Sequence, residues 1–192
     1  MNPSLNDAVG AVWRSLSQPH DMAAQIKAMQ ISRNALWTGL ALAAVLNVLL
    51  LSAIQLVSPM PPMLAGQAVV LSPFAYTSII GIFLVIFSVA TYQTGRFFGG
   101  NGSFDQTLAV IVWFQAVSLA LEVVQFVLVF VAPFAGALFS MISIGALIWV
   151  YLNFINVLHS FQSFAKTAVA VVLSLIVTGF GAGIILALLG IG

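Results

Sequence analysis

Apolar residues run through this chain in long, unbroken stretches rather than in stripes. Five of them, near 35–57, 74–94, 106–130, 134–158 and 167–189, hold the roughly 20 apolar residues that a bilayer-spanning helix needs. They lack the alternation of hydrophobic and polar positions that marks the strands of a membrane barrel. In lipid only helices and closed barrels satisfy every backbone polar group within the spanning structure. The pattern therefore predicts an all-α integral membrane protein, a five-helix transmembrane bundle over 35–192. The segment 1–34 ahead of it is different in kind. There Leu5, Val9, Val12, Trp13 and Leu16 recur at near-helical spacing, opposite Asn6, Asp7, Arg14 and Ser15. Pro19 interrupts, and Met22, Ala23, Ile26 and Met29 begin a second amphipathic stretch. One or two short helices lying along the membrane interface fit this arrangement, with Trp13 and Leu16 as candidate contact residues.

The breaks between the runs have readable chemistry. Ser58-Pro59-Met60-Pro61-Pro62 stops the first span, and Ser72 with Pro73 supplies an N-cap and a first-turn proline for the second. Gly95, Gly99, Gly100 and Gly102 interrupt the chain before the third span. Ser103 and Gln106 then stand at capping-box spacing, with Asp105 in the first turn. Ala132-Pro133 leaves only a tight hairpin between the third and fourth spans. Links this short make consecutive spans antiparallel neighbours.

Composition narrows function more than fold. Of 192 residues 62% are hydrophobic and 5% are charged, against about 25% charged in an average soluble domain. A net charge of +1 supplies none of the basic stripe that nucleic-acid binding requires. The absence of cysteine excludes disulfides, thiolate metal sites and a cysteine nucleophile. The 5 Lys and Arg residues, Arg14, Lys27, Arg33, Arg96 and Lys166, all fall on one side of an alternating topology. The positive-inside rule then predicts a cytoplasmic N-terminus and a C-terminus on the outer side. The first long apolar run starts late and has no basic n-region at the terminus, so cleavage of a signal peptide is not expected.

Candidate chemistry is sparse. Gly99-Gly100-Asn101-Gly102-Ser103 has the look of a phosphate cradle, yet no Lys follows the last glycine and no strand precedes it. It reads as a glycine turn feeding a capped helix. His20 and His159 have no second His or carboxylate at ligand spacing. No catalytic residue, cofactor or metal is expected. Within the spans, Gln115, Ser118, Glu122 and Gln125 share one helical stripe of the third. Gln115 falls at a depth similar to Asn47 and Thr178, which predicts a buried polar layer that fixes helix register. Glu122 is the one acid inside a span, and no Lys or Arg stands at its depth. It is expected to be neutral and bonded to Tyr76, Ser78, Ser140 or Gln125, or to be reached by water along a solute path. Gly179 and Gly183 form a G-x-x-x-G, expected to pack against a helix of the same bundle in preference to a second chain.

The amphipathic N-terminal segment, the five spans and Gly99-Gly100-Asn101-Gly102-Ser103-Phe104-Asp105-Gln106 opening the third together resemble the YIP domain family, the Ypt/Rab-interacting membrane proteins. The Gln18-Pro19 break, Asn34-Ala35-Leu36-Trp37 at the head of the first span and Leu158-His159-Ser160 at the end of the fourth are similar to its short bacterial relatives. The resemblance implies a multi-pass protein of the bacterial inner membrane. Eukaryotic members carry a longer cytoplasmic N-terminal region and are associated with Rab GTPases and vesicle traffic. That region is short here. The expected role is a non-enzymatic membrane scaffold, adaptor or accessory subunit. It would act by helix–helix contact with another membrane protein or with a second copy of itself. One rival reading is a small transporter or channel using Glu122 and its stripe. The other is a membrane-shaping, trafficking-like protein whose N-terminal helices wedge one leaflet.

Overall fold

The computed structural model describes residues 5–57 and 72–188. The Pro-rich stop at 58–62, and residues 1–4 and 189–192 at the ends, lie outside the described residues. The regular elements are all helical: α1 (Leu5–Ser17), α2 (Pro19–Ala28), α3 (Arg33–Val57), α4 (Pro73–Phe97), α5 (Phe104–Val131), α6 (Pro133–His159) and α7 (Phe164–Leu188). The last five are long and apolar enough to cross a membrane. Each begins slightly before its apolar run, and in α4 and α5 a serine cap sets the first turn. Ser72 Oγ accepts the Ala75 N–H at 3.2 Å, with Pro73 in the first turn of α4. Ser103 Oγ accepts the Gln106 N–H at 3.2 Å, and Gln106 Oε1 accepts the Ser103 N–H at 3.0 Å. That reciprocal pair closes the capping box of α5.

Consecutive long helices are neighbours throughout, as the short links from α4 onward require, and two further pairings close the bundle. α7 returns along α4, and α3 lies along α5. The N-terminal helices do not lie apart from this bundle. α2 packs chiefly on α6 and also on α5, while α1 touches α2, α5 and α6. Met22, Ala23 and Ile26 of α2 are buried and belong to the same apolar core as Leu108 of α5 and Phe154 of α6. Among lipid tails such burial gains little by desolvation, so close packing and buried polar contacts hold the helices together.

The core is uneven along the bundle axis. In α5 the buried residues are Thr107 to Ile111 and then Val117, with none from there to Val131. In α3 the last residue buried among those described is Val48. In α6 buried residues cluster from Val150 to His159. All of these lie toward the end that carries the cations. Arg33 Nε and Nη2 donate to the Asp105 carboxylate at 3.0 and 3.2 Å. Lys27 Nζ donates to the Val157 carbonyl at 3.0 Å and to Ser160 Oγ at 2.8 Å. Lys166 Nζ stands 5.3 Å above the Phe161 ring. This is the basic end of the bundle.

Candidate functional site

The polar side chains inside the spans meet only in part. Asn47 Nδ2 donates to the Ala43 carbonyl at 2.8 Å and reaches Gln115 Oε1 at 3.5 Å. The latter is the long limit of a hydrogen bond, yet it links α3 to α5 where an amide contact was expected. Thr178 is buried but donates to the Ser174 carbonyl of its own helix at 2.7 Å. The layer is a pair, not a triplet. Glu122 is half-buried, and its Oε1 accepts the Ser118 hydroxyl at 2.9 Å. Ser118 stands one turn earlier on the same stripe, so this bond needs no approach between helices. Of the expected partners Tyr76, Ser78, Ser140 and Gln125, Ser78 donates instead to the Phe74 carbonyl of its own helix at 2.9 Å. Gln125 lies half-buried one turn further along α5.

This local bonding gives Glu122 little structural weight. Glu122→Gln keeps the shape and one donor–acceptor pair. Glu122→Leu frees Ser118 to turn back to its own backbone, so the loss should be at most about 1 kcal/mol. Both variants are expected to fold with near-parental melting in detergent. A collapse of the leucine variant alone would show that Glu122 has a structural partner on another helix.

Polar contacts are denser at the basic end, where no site was expected. Lys27 places its ammonium on the Val157 carbonyl in the last turn of α6, where the helix dipole favours a cation. Partial burial lowers its pKa below the ordinary lysine value. Gln106 Nε2 donates to the Lys27 carbonyl at 3.3 Å, so the last turn of α2 is held by both α5 and α6. Further along, Trp113 Nε1 donates to Ser15 Oγ at 2.9 Å, and Ser15 donates to the Ala11 carbonyl at 2.9 Å. Ser15 is therefore buried, although its place in the amphipathic pattern put it on the polar face of α1. A buried indole N–H needs an acceptor, and the serine provides it. Leu16 packs against the core, while Trp13 is 68% exposed.

His159, the last residue of α6, is 1% exposed, and neither Nδ1 nor Nε2 has a hydrogen-bond partner among the described residues. Three glycines enclose the ring. A Cβ at Gly95 would overlap the imidazole. One at Gly100 would stand 2.5 Å from His159 Cβ, and one at Gly102 would stand 2.9 Å from the Leu158 carbonyl oxygen. A fourth, Gly99, takes φ +78°, which the turn out of α4 requires and an L side chain resists. Phe161 stacks on the imidazole with centroids 5.4 Å apart, and the Asn101 N–H bonds the His159 carbonyl at 3.3 Å. The loop between α4 and α5 is thus more than a turn: its backbone is shaped around one histidine. The available signal was a run of glycines at the same end of the bundle as the histidine closing a long apolar helix. The described residues contain no cluster of three or more metal-ligating side chains.

The G-x-x-x-G of α7 also differs from expectation. Among the described residues nothing comes within 4 Å of a Cβ placed at Gly179 or Gly183. With Phe180, Ile184 and Ala187 they line an open apolar groove of about 550 Å³ on the outer face of α7. Packing inside the bundle falls instead to Gly181, where a Cβ would stand 3.0 Å from Ile86 of α4. Gly181 continues the buried stripe of Ser174 and Thr178, and two residues along a helix lead to nearly the opposite side. A family model for the Yip1 domain matches residues 13–186, from α1 into the last turn of α7. No curated protein and no solved structure gives a significant match.

Proposed function

The chain belongs to the Yip1 domain family, and from that premise we propose that it is a non-enzymatic membrane scaffold or accessory subunit. In this reading it works by helix–helix contact with another membrane protein, and α7 offers the contact face. The observation that carries the reading is the vacancy beside Gly179 and Gly183. Glycine inside a helix costs about 1 kcal/mol relative to alanine. At Gly39, Gly136 and Gly181 close approach to a neighbouring helix offsets that cost, with Val112, Val129 and Ile86 lying 2.8 to 3.0 Å from a Cβ there. Gly145 is equally open but stands alone, whereas Gly179 and Gly183 lie one turn apart on one apolar groove with no such neighbour among the described residues, and a further helix is the partner that would use that space. The gathering of cations at one end supports a cytoplasmic N-terminus.

The transporter reading has less behind it. Glu122 is bonded on its own helix, and the groove between α4 and α7 is lined by apolar residues such as Ile79, Phe83, Ile86 and Ile185. Replacing Gly179 and Gly183 together by Ile should abolish crosslinks to other membrane proteins in native membranes. Yield and melting temperature should hold, since neither side chain would enter the bundle. Survival of the parental crosslinks would remove α7 as the contact.

A further inference from the structure

We propose that His159 is a proton-sensitive latch: protonating its imidazole opens the glycine cage and releases α2 from the end of α6. A neutral imidazole carries one donor and one acceptor, whereas the imidazolium carries two donors and a charge. In the closed cage neither nitrogen has a partner in hydrogen-bond geometry among the described residues. The Thr91 carbonyl lies toward the ring without reaching hydrogen-bond geometry, and it already accepts the Thr94 hydroxyl at 3.3 Å. The charges facing this corner are cations: Lys27 from α2, Arg96 from α4, and Lys166 of α7 across the Phe161 ring. The carboxylate at this end of α5, Asp105, is engaged by Arg33 of α3. A charged ring in the closed cage would be a buried cation among cations, with no anion to pair with. Charge and closure therefore exclude each other.

The ring's way out dictates what else moves. Gly95, Gly100 and Gly102 meet it with backbone, so the imidazole leaves only if the loop after α4 shifts. His159 also sits between Val157 and Ser160, the two acceptors of Lys27. Displacing that turn breaks both bonds. The last turn of α2 then keeps only Gln106 and its apolar contacts, and α1 with α2 loosens from α5 and α6. The inference does not depend on the scaffold reading.

The chain has no native cysteine, so single nitroxide labels can be placed at Asn101→Cys and Gln25→Cys, both exposed positions. In detergent, electron paramagnetic resonance spectra are compared at neutral pH and well below the ordinary imidazole pKa of about 6.5. Both labels should pass from a broad, immobile line shape to a narrow, mobile one on acidification. His159→Phe keeps a ring in the cage but cannot titrate, and in that background both labels should stay immobile. An unchanged parent, or an equal response in His159→Phe, overturns the latch. Should His159→Phe fail to fold, ring-carbon nuclear magnetic resonance decides in a His20→Asn background, where His159 is the one histidine left. Protonation that coincides with label release supports the latch, and protonation while the labels stay immobile overturns it.

Discussion

Gly95→Ala should destabilise the protein by about 3 kcal/mol or more, at the upper end of what overpacking usually costs. The new methyl group would occupy the space of the His159 ring, and the ring has nowhere to go. Gly100 and Gly102 block it with backbone, and Phe161 covers a face. The sign is informative, because alanine normally improves a helix by about 1 kcal/mol over glycine. Gly145, with no atom within 4 Å of a Cβ, should show that ordinary gain on change to Ala. Denaturant or thermal unfolding in detergent measures both. Adding His159→Ala to Gly95→Ala should recover most of the loss, a coupling expected only of groups in contact. A neutral Gly95→Ala, or no rescue by the second change, would mean that the ring does not lie against α4.

Ile26→Ala should open the N-terminal helices without dismantling the spans. Ile26 is 2% exposed and fully packed between α2 and the bundle, so its truncation should cost roughly 2–5 kcal/mol. Most of that falls on local opening of α1 and α2, which are joined to α3 by a short link. Where cleavage samples the open form, its rate follows the opening equilibrium, so proteolysis ahead of Arg33 should quicken at least about thirty-fold. Trp13→Ala is the contrast. Trp13 faces away from the bundle, and its loss should leave the cleavage rate within about twofold. Equal acceleration by the two changes would place the hold of the segment on its outer face.

What could be read from the sequence was whatever depends on near neighbours along the chain. The spans follow from hydropathy, and the Ser72 and Ser103 caps follow from residues three positions apart. Both survive in the structure because lipid leaves the backbone little alternative to the helix. The Yip1 resemblance was legible for the same reason, since its motifs sit at helix ends. The His159 cage was not, because it joins Gly95 on one helix, two glycines of a loop and a residue more than fifty positions later. Glu122 went the other way: Tyr76, Ser78, Ser140 or Gln125 was the expected partner, and Ser118 on its own stripe was nearer. The inward face of α7 could have been told from Thr167, Ser174 and Thr178, whose spacing picks the side of Gly181 and leaves Gly179 and Gly183 outward.

The buried residues of α5 end at Val117 and those described in α3 at Val48, so the long helices are bound tightly at the basic end and lightly beyond it. Mechanically this is a fan with a fixed hub whose ribs can splay only in pairs, since α5 stays joined to α6 at the far end through Val129 and Gly136, and α4 to α7 through Ile86 and Gly181. A membrane that thins or thickens demands a change of tilt, at fractions of a kcal/mol per Å of mismatch. The ribs can supply that tilt while the hub keeps its contacts. One sequence can thus sit in bilayers of different thickness and show the same charged face to the water at its hub.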